Sequence, residues 1–409
     1  MSQFGRHTGK LQVAFLGGAT NSAIGRAHRD AIELDQKFAL VAGCFSRHEE
    51  VNRKTANDYG IADDRLHPDL ATLLRKEAGV IDALVILTPT EQHRQQVVDA
   101  LHAGVAVICE KALATSSHEI AAIAEAAGDD HFLAVTYNYT GYPMLREIRD
   151  MVDRGLLGEL QQIHIEMPQE GFARVKPDGT LPTPQDWRLR DGLVPTVSLD
   201  LGVHVHSLLH FLTRRQPQEV CATSQSFGHF PQVIDNVTAM IRCSGGLHCS
   251  VWYGKTALGL RNGLRVRLFG SHGSVEWVQE FPEIVHFADR YGRKQILDRA
   301  SPDVSVANAA RYERFKAGHP AGFIEAFANY YHDIANALHV HKGDIAGDAS
   351  HYVLGLAPSK EGMFLLEAIE LSRQQGRWVE IASQNEVTLM AGRLRAEGNH
   401  GLTRQSIAG

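Results

Sequence analysis

Along the first third of the chain, short β-branched and apolar runs alternate with longer stretches whose apolar positions recur every three or four residues. The short runs, 13–16, 40–45, 84–87, 105–109 and 133–137, predict strands. The stretches between them, 24–34, 49–59, 92–103 and 117–127, predict helices. Strand, helix and strand at this spacing make βαβ units, which build a parallel sheet covered by helices. After Tyr137 the rhythm changes. A helical stretch, 142–154, precedes a strand candidate, 160–167, and then a long irregular segment, 168–195, rich in Pro, Gly and charge. A loop of that length in a compact protein is usually functional or mobile. A helix over 197–211 follows, then strand candidates 219–226, 237–243, 247–253, 264–269 and 274–277, joined by turns such as "SGG" and "SHG". Short turns between successive strands predict a mostly antiparallel sheet. A helix over 320–338 comes next. Beyond Ser383 the periodicity fades into a Gly-rich end, read as a peripheral or disordered arm.

The expected fold class is therefore α/β. A doubly wound dinucleotide-type domain (1–136) is joined to an α+β domain built on one large sheet (137–383), with a tail at 384–409. A length of 409 residues exceeds one ordinary core and agrees with two domains. Sheet-based second domains often associate through their open face, so a homodimer or homotetramer is expected. The formal charge of −6 argues against nonspecific nucleic-acid binding. No apolar run reaches the roughly 18 residues of a membrane span. The start, MSQFGRHTGK, is polar and basic, and no signal peptide is expected. Five scattered cysteines without a CxxC pair suggest reduced thiols in a cytoplasm.

Candidate chemistry begins where the first strand turns into the first helix, in "VAFLGGATNSAIGRAH". Gly17, Gly18, Ala19, Ile24 and Gly25 lie at that turn. Glycine lets backbone approach a pyrophosphate, and the helix N-terminus offers free N–H groups to it. The pattern departs from G-x-G-x-x-G, because Ala19 takes the second glycine's place and the last glycine comes late; a plain strand–helix turn is the alternative. At the end of the second strand an NAD site normally carries an acidic residue. Ser46 and Arg47 stand there instead, which suits the 2′-phosphate of NADP. If Arg47 only stacks on adenine, either cofactor is permitted. Lys111 ends the apolar run at 105–109, where ligands of open α/β sheets gather, although a surface lysine at a strand end would read the same way.

The stretch "VSLDLGVHVHSLLHF" sets one aspartate and three histidines in apolar surroundings. On a regular helix Asp200 and His204 share a face, one turn apart, with Ser207 and Phe211. A carboxylate there can fix an imidazole's tautomer and raise its basicity, as acid–base chemistry requires; a structural polar pair is the plain alternative. His206 and His210 lie on another face and lack an obvious third ligand, so no metal site is expected.

Together these residues resemble the Gfo/Idh/MocA family, the relatives of glucose–fructose oxidoreductase and inositol dehydrogenase. The resemblance runs from about residue 11 to 381 and rests on "GGATNSAIG", "ILTPTEQH", "ICEKALA", "VTYNYTGYP", "DWRL", "DLGVH", "NGLRVRLFGSHGSVEW" and "GHPAGFIEAFANYYHDIANAL" in that order. It implies a Rossmann domain and a second domain with a large open sheet. By similarity Lys111 belongs to the family's Glu-Lys-Pro signature and holds the reacting oxygen, His204 is the acid–base group, and Asp200 orients it. Thr88, Pro89 and His93 would line NAD or NADP. Glu110 and Asn138 would lie near the nicotinamide, and Trp187 and Arg188 on the substrate side. Three departures bear on the substrate: Ala112 replaces the signature's proline, "GLVPTVSL" replaces a glycine cluster, and Thr140 stands where arginine is common.

The implied activity is hydride transfer between NAD(P) and a secondary alcohol of a sugar, inositol, related polyol or sugar acid. The cationic loop residues Lys176, Arg188 and Arg190 offer partners for an acidic substituent, or are simply solvated. Two alternatives remain: glycoside cleavage or isomerisation through transient oxidation, and a non-catalytic NAD(P)-sensing regulator.

Overall fold

The computed structural model describes residues 9–347 and 351–382; the predicted tail lies outside them. A five-stranded sheet forms the first layer. Its strands are β1 (Leu11–Gly17), β2 (Phe38–Cys44), β3 (Ala83–Leu87), β4 (Val107–Cys109) and β5 (Leu133–Val135). They are ordered β2-β1-β3-β4-β5 and all run parallel. Every residue of β3 is buried, as expected of a parallel sheet covered on both faces. The covering helices are α1 (Ala23–Leu34), α2 (Glu49–Tyr59), α3 (Leu70–Glu77), α4 (His93–His102) and α5 (Ser117–Ala127). Side-chain caps start several of them: Ser22 Oγ accepts from the Gly25 N–H, and Ser116 Oγ from that of Glu119. The sequence pattern missed α3, although Asp69 caps it with a 2.7 Å bond from the Thr72 N–H.

The helix α6 (Pro143–Asp153) leads into the second layer, a nine-stranded sheet. Its strands are β6 (Leu160–Pro168), β7 (Pro217–Gln225), β8 (Asn236–Cys243), β9 (His248–Gly254), β10 (Arg265–Gly270), β11 (Gly273–Val278), β12 (Ile284–Asp289), β13 (Lys294–Asp298) and β14 (Val379–Glu380). The order is β13-β12-β11-β10-β6-β9-β8-β7-β14. Pairing is antiparallel except between β6 and β9, which run parallel. After β6 the chain also forms the helices α7 (Val203–Thr213), α8 (Phe323–His341) and α9 (Leu356–Gln375). Helices α6, α7 and α9 pack against one face of the sheet. On the other face, alternate residues of β8 such as Thr238, Met240 and Arg242 are exposed.

Two features differ from the pattern-based reading. Residues Ser198–Gly202 form a π-helical turn before α7 rather than part of one regular helix. Such turns recur at functional sites. And α8, assigned by chain order to the second domain, packs against α1 of the first. There His28 of α1 meets Tyr331 Oη of α8 at 2.5 Å, while its other ring nitrogen meets Glu110, just after β4, at 3.0 Å.

Candidate active site

The carboxyl ends of β1 to β4 form one edge of the parallel sheet, and the predicted site residues follow from them. At the end of β1, Gly17 and Gly18 have φ of +83° and +72°, backbone that side chains rarely tolerate. Gly25 performs the packing role of the motif's last glycine despite its late position, since a Cβ there would sit 2.1 Å from the Gly18 carbonyl oxygen. The helix α1 therefore lies hard against the turn, with its N-terminus at the sheet edge. Ser46 and Arg47 follow β2, and Thr88 and Pro89 follow β3.

Two residues expected along the cofactor have other partners. His93 is buried and both its ring nitrogens meet main-chain carbonyls, Ala112 O and Thr88 O, each at 2.8 Å. Its ring thus ties the loop after β3 to the loop after β4. Glu110 accepts from His28 and from Thr136. Burial alone would raise its pKa, but His28 and the Lys111 charge hold it below the ordinary carboxylate range. Asn138 is different: its Nδ2 is buried without a hydrogen-bond partner.

Beyond the same edge lies a cleft of about 500 Å3. Lys111, Arg188, Asp200 and His204 line it, together with Tyr139 and Lys255. The expected Asp200–His204 brace is not formed, and this corrects the helix-face argument. Asp200 sits in the π-helical turn, so regular one-turn spacing does not apply, and its carboxylate is claimed by cations. Lys111 Nζ donates to Oδ1 at 2.9 Å and to the Asp200 carbonyl at 2.8 Å. Lys255 Nζ donates to Oδ2 at 2.6 Å, and Arg188 bonds the same oxygen. Burial would raise the Asp200 pKa, but Lys111, Lys255 and Arg188 hold it well below the ordinary range. His204 Nδ1 is buried with no partner. Burial pushes the His204 pKa well below the usual imidazole value, Lys111 adds to this, and Asp200 opposes it. Tyr139 meets the imidazole edge-on, with centroids 4.7 Å apart.

Trp187 is not among the residues lining the cleft; it bonds Gln185 at 3.1 Å and stacks under Arg188. Lys176 and Arg190 are exposed and also outside the lining. Pattern reading missed Lys255 and Tyr139. Lys255 stands just beyond β9, a strand whose buried positions alternate with exposed ones, so no buried apolar run of the kind that marked Lys111 pointed to it.

A glycine turn at the edge of a parallel sheet, facing a cleft of titratable groups in a second domain, defines a dinucleotide-dependent oxidoreductase. The chain belongs to the Gfo/Idh/MocA family: residues 11–139 match the oxidoreductase family, NAD-binding Rossmann fold, and residues 145–276 match the GFO/IDH/MocA C-terminal domain. It is 29% identical over 384 residues to an uncharacterized oxidoreductase, YfiI, of Bacillus subtilis (strain 168), covering 90% of this chain and 96% of that protein. It is 25% identical over 305 residues to inositol 2-dehydrogenase of Rhizobium meliloti (strain 1021), covering 72% of this chain and 85% of that protein. An inositol dehydrogenase homolog from Azotobacter vinelandii, solved with NADH and myo-inositol, superposes with a TM-score of 0.82. That match has 29% identity and covers 91% of this chain and 98% of the other. The chain is thus an NAD-binding oxidoreductase of this family. Among the described residues, no helix is long and apolar enough to cross a membrane.

Proposed function

We propose that this chain transfers hydride reversibly between NAD(P) and a secondary alcohol of a sugar or cyclic polyol that carries an anionic group. The observation that carries the reading is the cleft's charge. Lys111, Arg188 and Lys255 share one carboxylate, Asp200, which leaves two cationic charges unbalanced among its lining residues. A carboxylate or phosphate on the substrate supplies the missing anion.

The residues at the sheet edge fit a dinucleotide. The Gly17–Gly18 turn and the N-terminus of α1 would hold the pyrophosphate, and the unpartnered Nδ2 of Asn138 suits an acceptor on the nicotinamide side. Ser46 and Arg47, standing at the end of β2 where an NAD site normally carries its acidic residue, favour NADP over NAD. When bound, the nicotinamide supplies the acceptor or donor of hydride.

The chain's own groups handle the proton and the oxygen. Lys111 has three N–H donors and spends two on Asp200, so one remains for the reacting oxygen. His204 is held neutral, the form that accepts a proton. Its Nδ1 is sealed from solvent, which leaves Nε2 to take the hydroxyl proton as the carbon loses hydride and becomes a carbonyl. Asp200 acts by positioning Lys111 and Lys255 rather than the imidazole.

The test is turnover of NAD and NADP with matched neutral and acidic substrates: myo-inositol and aldoses against uronates and aldonates. Acidic members are expected to lead in kcat/KM, and Arg188→Gln to erase the lead. Equal or better turnover of neutral polyols overturns the anionic reading. Bound cofactor with no turnover of any member overturns hydride transfer in favour of a sensor. Product formation without net reduced cofactor favours transient oxidation.

A further inference from the structure

The face of α7 turned away from the cleft carries the two histidines for which the sequence offered no third ligand. The structure supplies one from a helix 150 residues on. His206 Nε2 lies 2.8 Å and His210 Nδ1 3.1 Å from the same oxygen, Glu361 Oε1 of α9. The three candidate ligand atoms all lie within 4.8 Å of one another. None of these residues lines the cleft.

We propose that His206, His210 and Glu361 form a divalent-metal site of the zinc type that clasps α7 to α9 behind the helix bearing His204. Two imidazoles one helical turn apart present their nitrogens to one point, as i and i+4 histidines on a helix do in zinc sites. Two nitrogens and one carboxylate suit zinc and its late first-row neighbours, whereas magnesium and calcium take oxygen ligands. Bonds of about 2.0–2.1 Å in a tetrahedron set ligand atoms about 3.3 Å apart. The two nitrogen–oxygen distances here are 2.8 and 3.1 Å. Each nitrogen therefore needs to part from the oxygen by only a few tenths of an ångström, and the two nitrogens, within 4.8 Å of each other, need to settle to the same spacing. His206 is buried, while the His210 and Glu361 side chains keep 30% and 18% exposure. That partial exposure gives an ion a way in and leaves a fourth position for water. Gly362 is part of the construction: a Cβ there would lie 2.6 Å from His206 Nδ1, so only glycine lets α9 lie against the ring.

The test uses the full chain, free of any tag and stripped with a chelator, with Zn2+ and Co2+ as probes. One Zn2+ per chain is expected to bind by equilibrium dialysis and to raise Tm, and Co2+ to develop the visible absorption of a four- or five-coordinate site. His210→Ala and Glu361→Gln should each weaken binding at least tenfold. Both should keep the parent's circular dichroism and cofactor binding, since one removes a partly exposed ring and the other preserves shape. With 22 histidines in the chain, stoichiometry alone does not locate the ion, so the variants decide. Parent-like affinity in folded His210→Ala and Glu361→Gln overturns the site. So does a parent that binds neither metal, which leaves the trio as a hydrogen-bonded clasp.

Discussion

Asp200 is where the site's electrostatics are most exposed to test. Asp200→Asn keeps the side chain's shape and leaves three cations facing a neutral amide. The side chains of Lys111 and Arg188 are 16% and 26% exposed, so water recovers much of their loss. Each of those partners then accounts for about 0–1 kcal/mol. The Lys255 side chain is 8% exposed, and stripping a buried charge of its partner costs about 3–5 kcal/mol. Burial already pulls the Lys255 pKa below the ordinary lysine value, against the opposing pull of Asp200. Shedding its proton is thus an open escape that holds the cost near the lower bound, about 3 kcal/mol. At about 2–4 °C per kcal/mol for a domain of this size, Tm should fall by about 6–12 °C. Thermal and urea unfolding at neutral pH measure this directly. The double variant Asp200→Asn with Lys255→Met removes both partners and should recover most of the loss. The folded-state pKa of Asp200 is depressed. The gap between parent and Asp200→Asn is therefore full above the unfolded value of about 3.9 and closes as pH falls through the lower folded value. A single variant that melts within about 2 °C of the parent, or a double variant whose losses simply add, refutes the buried-charge argument.

Three further outcomes are expected. The depressed pKa of His204 keeps the base form present through neutrality, so kcat/KM for alcohol oxidation should stay flat as pH falls through 6.5 and drop only below it. His204→Asn should cost about 10²–10⁴ in rate, and an acid limb at or above 6.5 that vanishes in this variant contradicts the assignment. Arg47→Ala should weaken NADP binding about 10- to 100-fold, the worth of a charge-assisted hydrogen bond, and leave NAD nearly unchanged in a fluorescence titration; equal effects on both cofactors refute the NADP preference. Gly25→Ala puts a methyl 2.1 Å from the Gly18 carbonyl oxygen, so it should cost about 1–3 kcal/mol in urea unfolding and weaken both cofactors. Unchanged affinity would show that the turn does not carry the pyrophosphate.

What the sequence made legible was the local and periodic part. Glu49–Tyr59 and Ser117–Ala127 were bounded to the residue because one ends in a left-handed glycine, Gly60, and the other starts at a serine cap. The helix α9 escaped because it contains a proline and a glycine and buries residues all around, which blurs an amphipathic stripe. The hairpin β12–β13 escaped because its edge strand is mostly exposed and polar. At the site, Lys111, Arg188, Asp200 and His204, which the resemblance grouped together, line one cleft, but their bonding was not legible. The π-helical turn changes which groups face each other, and Lys255 arrives from a strand 55 residues further along. Glu361 likewise reaches His206 across 155 residues. No local pattern carries information over those separations.

The packing of α8 on α1 also has a consequence during synthesis. The nascent chain completes β5 at Val135, yet Phe327 and Tyr331, which cover His28, are made only about 190 residues later. At ordinary elongation speeds the ribosome takes about 10–40 s to bridge that interval. Until then the nucleotide-binding half presents an uncovered aromatic pocket around His28 and Phe38. An N-terminal fragment cut near residue 140 keeps that wound permanently, and should be recovered with chaperones or as aggregate rather than as a free-standing domain.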